Sequence, residues 1–154
     1  MRFSSREDIE APIEHVYGKL TDFYGFERSA MRRGVKAERE DPSAPIGLGT
    51  IWHVRFKFRG KPRAADVELT KLDENDGFEM SFKSGGIDGL TSLELVPLSP
   101  HRTRMILRLD LSAKTLAARL LLQSLKLAKS NLTHRFKTRV ADFAEEIETS
   151  YTGV

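Results

Sequence analysis

Few residues of this 154-residue chain have the type and spacing that catalytic or metal chemistry needs. The four histidines form no ligand pattern, and His53 and His134 are predicted to point away from the core. There is no His-Glu-x-x-His motif, no Gly-x-Ser-x-Gly motif and no phosphate-binding glycine-rich loop. A catalytic site dispersed over the fold could use Tyr24, Asp22 or Glu27, with only their predicted position in its favour. The motifs therefore predict no metal and no cofactor, and whether the chain is an enzyme stays open.

Arg139 is the residue whose type could bind an anion in an apolar setting. On a helical wheel it lies at the edge of an apolar stripe, between Phe136 and Phe143. A guanidinium that faces an apolar cavity could hold a carboxylate or a phosphate of a ligand. The alternative is an ordinary surface ion pair with Asp142, three residues further along the helix.

The composition narrows the classes of protein. The absence of cysteine excludes disulfides, thiolate nucleophiles and cysteine-based zinc sites. The chain has 25 basic and 22 acidic residues and a net charge of +3, and its basic residues are scattered along the sequence, which predicts no nucleic-acid partner. No apolar run approaches the roughly 20 residues needed to cross a bilayer. The N-terminus is charged where a signal peptide would be apolar, so we expect a cytoplasmic protein.

Period-two alternation predicts most of the chain to be antiparallel strands. The clearest case places Trp52, Val54, Phe56 and Phe58 on one face and basic residues on the other. Further inward-facing sets are predicted on the following strands: Ala65, Val67 and Leu69; Phe78, Met80 and Phe82; Thr91, Leu93 and Leu95; and Thr103, Met105, Leu107, Leu109 and Leu111. A first strand over residues 2–11 and two short helices over residues 12–20 and 22–30 precede them.

The turns predict which outward charges face each other. A turn over residues 59–62 would place Arg55 opposite Asp66 and His53 opposite Glu68. A turn over residues 97–100 would make Glu94 face Arg104 in the same way.

The segment from residue 115 to residue 148 has no Gly or Pro and is predicted to form one long helix, with room for a kink in its first turns. A single apolar stripe recurs along it every three or four residues. Leu116, Leu120 and Leu127 fall on the opposite side, where a solvated helix should be polar. We expect these leucines to cross a cavity mouth, to form a homodimer or, together with neighbouring Lys and Arg, to contact an anionic membrane surface.

The order of elements excludes a doubly wound fold, because crossover helices do not alternate with the strands. The segments Ile9-Glu10-Ala11-Pro12-Ile13-Glu14-His15-Val16-Tyr17 and Gly47-Leu48-Gly49-Thr50, and the leucine-rich start of the last helix, resemble the START-like family called SRPBCC. The resemblance implies an α+β helix-grip fold, in which a curved antiparallel sheet of about seven strands wraps around a long C-terminal helix. It covers one domain over residues 1–148, followed by a flexible tail over residues 149–154.

The same resemblance implies a cavity for a small hydrophobic molecule such as a lipid, a polyketide or an isoprenoid-like compound. The residues predicted to line it are Phe23, Tyr24, Trp52, Val54, Phe56, Phe58, Phe78, Met80, Phe82, Met105, Leu107, Leu125, Leu132, Phe136 and Arg139. The apolar members could equally fill a packed core, because pockets and cores use the same residue types. Three functions stay open: a binding or carrier protein, a cyclase/dehydratase-type enzyme acting on a polyketide-like substrate, and a ligand-free interaction module.

Overall fold

The computed structural model describes residues 1–152 of the chain. Its elements, in chain order, are β1 (Arg2–Ile9), α1 (Ile13–Leu20), α2 (Phe23–Arg32), β2 (Lys36–Arg39), β3 (Ile51–Phe58), β4 (Lys61–Asp73), β5 (Gly77–Ser84), β6 (Ile87–Ser99), β7 (Arg102–Ala113), α3 (Leu116–Leu127) and α4 (Lys129–Thr152). The predicted α+β helix-grip architecture is confirmed.

The seven strands form one antiparallel sheet in the order β1-β7-β6-β5-β4-β3-β2. Consecutive strands from β2 to β7 are neighbours, and β1 pairs with β7 as the edge strand on that side. Helix α4 packs chiefly on β1, and α3 packs on β7. The inner face of β3, β4 and β5 therefore extends beyond the main contact areas of both helices.

The β3–β4 hairpin has a tighter turn than the sequence predicts. Arg59 and Gly60 both have positive φ, 53° and 73°, as a two-residue type I′ turn requires. Lys61 therefore already belongs to β4, and the register differs by two residues from the prediction. His53 faces Asp66, and the predicted pairing of Arg55 with Asp66 is wrong.

The β6–β7 register also differs from the prediction. An irregularity between Pro97 and Ser99 shifts the pairing, so Glu94 faces Ile106 rather than Arg104. Glu94 instead forms an ion pair with Arg108 at 3.4 Å. The Arg104 guanidinium binds Asp8 of β1 at 2.8 Å and thereby ties β7 to the edge strand.

The last helical segment is two helices rather than one. The helix breaks at Ala128, whose φ and ψ are −105° and 14° and whose N–H donates to Leu125 and Lys126 carbonyls. Each part then buries its own face: Ala118, Leu122 and Leu125 in α3, and Val140, Ala144 and Ile147 in α4. Helix α3 packs on β7 and α4 packs on β1. The break at Ala128 lets each helix turn its own apolar face towards its strand.

Helix α4 also extends further than predicted. It continues to Thr152, so residues 149–152 are helical rather than a tail, and the rest of the predicted tail, Gly153 and Val154, lies outside the described residues. The Tyr151 ring lies 5.1 Å from the His15 ring, centroid to centroid, which holds the end of α4 on α1. None of the helices within residues 1–152 is both long enough and apolar enough to cross a bilayer.

Candidate functional site

The inner face of the sheet is packed at one end and partly exposed at the other. We call the first the closed end; it contains the β4–β5 and β6–β7 turns. Inward side chains there are buried, namely Trp52, Leu69, Leu93, Leu95 and Met105. We call the other the open end; it contains the β3–β4 and β5–β6 turns and α3. Its inward side chains Phe56, Phe58, Phe82, Leu109 and Leu111 keep partial solvent exposure. The inner face of the sheet is therefore buried at the closed end and partly exposed at the open end, and we call this partly exposed inner face the hollow.

Phe23 fills the closed end. Its ring lies 6.0 Å from the Trp52 ring and 5.6 Å from the Phe78 ring, and its side chain is 7% exposed. Met105 is 1% exposed in the neighbouring cluster with Leu93, Leu95 and Val140. Of the two alternatives that the sequence left open, cavity lining and packed core, the second holds for Phe23, Trp52 and Met105, and Phe23 of α2 packs on Trp52.

Two predicted lining residues lie elsewhere. Tyr24 is 46% exposed, with the Arg39 guanidinium 5.2 Å from its ring centroid, so it belongs to the contact between α2 and β2. Arg139 is exposed on α4 and does not line the grip; the residue that follows it, Val140, takes the buried position.

The remaining predicted lining residues have intermediate exposure or lie at the helix boundary of the hollow. They are Val54, Phe56, Phe58, Phe78, Met80, Phe82, Leu107, Leu125, Leu132 and Phe136. Of these, Val54, Phe78, Met80, Leu107 and Phe136 also pack against the closed-end core, and Leu125 is buried with 8% exposure. The Phe136 ring lies 5.9 Å from that of Phe3, which joins α4 to β1. The predicted lining residues that remain for the hollow are therefore Phe56, Phe58 and Phe82 on β3 and β5, and Leu132 on α4.

The carboxylates considered for catalysis have structural partners. Asp22 caps α2 by accepting a hydrogen bond from the Gly25 N–H at 3.1 Å. Glu27 Oε2 accepts a hydrogen bond from Trp52 Nε1 at 2.8 Å and lies 3.0 Å from Arg39 Nε. Among the described residues, no group of three or more His, Asp or Glu side chains is placed to hold a metal ion.

Arg59 and Arg63 both lie close to the Phe58 ring at the open end. Their guanidinium carbons lie 5.7 Å and 5.5 Å from its centroid. Arg63 faces Phe56 across the β3–β4 ladder, so both side chains leave the sheet on its inner face. Sequence analysis did not single out Arg63, although extending the alternation back from Ala65 and Val67 predicts that it faces inward.

The tip of the β3–β4 hairpin is joined to α3. Arg59 Nη1 donates a hydrogen bond to Ser124 Oγ at 2.8 Å, across 65 residues of sequence. Helix α3 begins at a side-chain cap, where Thr115 Oγ1 accepts from the Ala118 N–H at 3.1 Å. The hydrogen bond from Arg59 therefore links the β3–β4 turn to α3 at the edge of the hollow, which we call its rim. No motif in the sequence predicts this bond.

A second concavity lies on the outside of the grip. It is a surface groove of about 400 Å³ between α2 and the end of α4. Lys19, Arg28 and Arg32 share its wall with Asp22 and Glu146. Its mixed charges and open shape make it a weaker candidate than the apolar hollow.

Solved structures with a similar fold include several helix-grip proteins. The aromatase/cyclase Zhui from Streptomyces sp. R1128 aligns with a TM-score of 0.67 at 14% identity over 97% of this chain and 94% of its own. The protein TTHA0849 from Thermus thermophilus aligns with a TM-score of 0.62 at 18% identity over 97% and 99%. A START superfamily protein from Mycobacterium smegmatis aligns with a TM-score of 0.53 at 15% identity over 87% and 95%.

Neither the protein-family models nor the curated protein sequences contain a match to this chain. The structural similarities extend over nearly the whole chain, and they agree with the sheet order and with the position of α4 described above. The chain therefore has the helix-grip fold of the START-like (SRPBCC) proteins.

Proposed function

We propose that this protein is an intracellular carrier that holds a small hydrophobic molecule, such as a lipid, a polyketide or an isoprenoid-like compound, between the sheet and the α3–α4 junction. The observation that carries the proposal is the partial exposure of large inward side chains at the open end. Phe56, Phe58 and Phe82 would be buried in a filled core, whereas a carrier leaves such side chains for its ligand to cover. Burial of apolar surface would drive binding.

Arg63 gives the ligand a direction. Its guanidinium lies beside the Phe58 ring on the inner face of the sheet, and among the described residues no carboxylate forms an ion pair with it. A charged donor at the rim suits a ligand with an apolar body and an anionic or carbonyl-bearing end. In this role Arg63 takes the place that the sequence suggested for Arg139.

Native mass spectrometry of the purified protein, followed by organic extraction, tests the carrier function. We expect a bound small molecule at near-stoichiometric level. As a second measurement, titration with 8-anilinonaphthalene-1-sulfonate should show saturable binding, which an inward Ala65→Leu substitution should weaken about tenfold by filling the hollow.

The matched control is Ala64→Leu, which adds the same side chain to the next position of β4 on the outer face. It should leave dye binding unchanged. Equal binding by the Ala65→Leu variant and the wild type, together with no extracted molecule, would exclude the hollow as a ligand site and favour a ligand-free interaction module.

A cyclase/dehydratase-type enzyme is the second candidate, and the similarity to the Streptomyces aromatase/cyclase favours it. Such a reaction needs a general acid or base beside the substrate. Incubation with a poly-carbonyl thioester would separate the two functions by mass spectrometry. An enzyme would release a product lighter by one water, and a carrier would return the compound unchanged.

A further inference from the structure

Helix α3 exposes a ridge of leucines at the open end. Leu116, Leu120 and Leu127 are 72%, 58% and 92% exposed. At 3.6 residues per turn they fall within about 40° of one another around the helix axis. The buried residues Ala118 and Leu125 lie on the opposite side. Exposed leucines aligned in this way have no partner within the domain, so they indicate a surface that something else covers.

Positive charge flanks the ridge on both sides. Arg119 and Lys126 lie on one flank of α3, and Ser124, which holds the tip of the basic β3–β4 hairpin through Arg59, lies on the other. The hairpin residues 54–65 contain five Lys or Arg and no Asp or Glu, and residues 114–141 contain seven Lys or Arg and no Asp or Glu. The fold thus gathers basic residues that look scattered along the sequence.

Few of these cations are neutralised. Among the described residues, Lys114, 3.9 Å from Asp88, is the only one of the twelve that forms an ion pair. The surface depression at the closed end contains charges of both signs, and there Asp73 pairs with Lys71 and Glu94 with Arg108. Eleven of these twelve cations are therefore without an ion pair among the described residues, and the leucine ridge lies beside those of α3 and the hairpin.

We propose that the open end docks on an anionic phospholipid surface, with the leucine ridge inserted among the lipids and the flanking Lys and Arg on the headgroups. A second copy of the chain is the poorer occupant, because a symmetric contact would bring Arg119 and Lys126 against their own counterparts. A nucleic acid would leave the protruding leucines uncovered. Docking goes beyond the carrier function and does not depend on it, although it would place the hollow next to the lipids.

Vesicle co-sedimentation of the full chain tests the docking. The vesicles contain phosphatidylcholine with or without phosphatidylglycerol. We expect binding to the anionic vesicles, weak binding to the neutral ones, and loss of binding at high salt, because screening shortens the range of charge attraction. The Arg119→Glu/Lys126→Glu variant should bind anionic vesicles at least about tenfold more weakly, and so should the Leu120→Ser/Leu127→Ser variant.

Two matched controls keep the surface assignment testable. Lys19→Glu/Arg28→Glu changes the net charge by the same amount as the charge variant does, but on α1 and α2 instead of α3. Leu48→Ser/Leu98→Ser replaces two exposed leucines that lie outside α3. Both should bind like the wild type, and circular dichroism should show all four variants folded. Equal loss in test and control variants would overturn the proposal.

Equal binding to neutral and anionic vesicles would also overturn it. So would light scattering that shows a dimer which Leu120→Ser/Leu127→Ser dissociates, because the second copy would then be the occupant. Dye binding in solution is measured separately from vesicle binding. A protein that fails to bind vesicles can therefore still be a carrier, and a protein that binds no dye can still dock on vesicles.

Discussion

Arg59 and Ser124 join the two sides of the hollow through one hydrogen bond of 2.8 Å. Arg59 occupies a positive φ at the hairpin tip, and Ser124 lies in α3. No other hydrogen bond between side chains of the β3–β4 hairpin and α3 occurs among the described residues. We call this contact the latch, and we expect its loss to increase the motion of α3 without unfolding the core.

Removing the latch should speed ligand exchange. Ser124→Ala removes the acceptor, and Arg59→Asn removes the donor while supplying a residue that type I′ turns prefer. Since an exposed hydrogen bond contributes about 1 kcal/mol, we expect up to about fivefold faster dissociation of 8-anilinonaphthalene-1-sulfonate in stopped-flow fluorescence. Ser130→Ala, on the exposed side of α4, is the control. Unchanged dissociation in both latch variants would show that α3 does not limit exchange.

The bond between Glu27 and the Trp52 indole should matter more for stability than the charge of Glu27. Glu27→Ala leaves the buried Nε1–H without an acceptor, which should cost about 1–3 kcal/mol in the free energy of unfolding. Glu27→Gln keeps an acceptor for the indole and loses only the charge of the ion pair with Arg39, so it should cost less. Trp52 is the only tryptophan, so urea titration followed by its fluorescence reads this site directly. Equal costs of the two variants would show that the charge of Glu27, and not its hydrogen bond to Trp52, carries the stability. The control is Glu38→Ala, at an exposed position of β2.

Two glycine-to-alanine substitutions should change the free energy of unfolding in opposite directions. A Cβ on Gly89 would overlap the Phe82 ring, which lies across β6 at that point, so Gly89→Ala should destabilise the protein by about 1–3 kcal/mol. A Cβ on Gly18, at an exposed position of α1, would meet nothing within 4 Å, so Gly18→Ala should stabilise the protein by about 0.5–1 kcal/mol. Chemical denaturation of both variants provides the comparison. A neutral Gly89→Ala variant would mean that the Phe82 ring can move into the hollow at little cost.

The contribution of His53 to stability should fall as pH rises. A hydrogen bond with Asp66 at 2.7 Å raises the pKa of His53 above its ordinary value of 6.5, and Glu40 adds to the shift. The protonated ring is thus favoured in the folded state, so the contribution is complete below the ordinary pKa and is lost as pH rises through the raised one. His53→Gln should therefore destabilise the protein more at about pH 5.5 than at about pH 8.5. Asp66→Asn should give the same pH dependence in thermal unfolding, and a flat difference in both would exclude the pair as its source.

The sequence alone determined which residues alternate and which faces are apolar. The inward sets of β3, β5, β6 and β7 are where period-two patterning predicts them, because successive strand residues must point to opposite sides. The exposure of Leu116, Leu120 and Leu127 was also predictable, because a helix that is apolar on two sides can bury only one of them against a single sheet. Local geometry imposes these features, and no distant contact is needed to infer them.

The tertiary structure decided the registers, the break at Ala128 and the division into a closed and an open end. The backbone conformation of Arg59 and Gly60 sets the register between β3 and β4. A positive φ at an arginine is not predictable from the sequence. The closed end is buried because Phe23 of α2 packs on Trp52 and Phe78, and the inner face of the open end stays partly exposed because α4 packs on β1. Each of these outcomes depends on contacts between segments that are far apart in the chain. The periodicity of a single segment carries no information about such contacts.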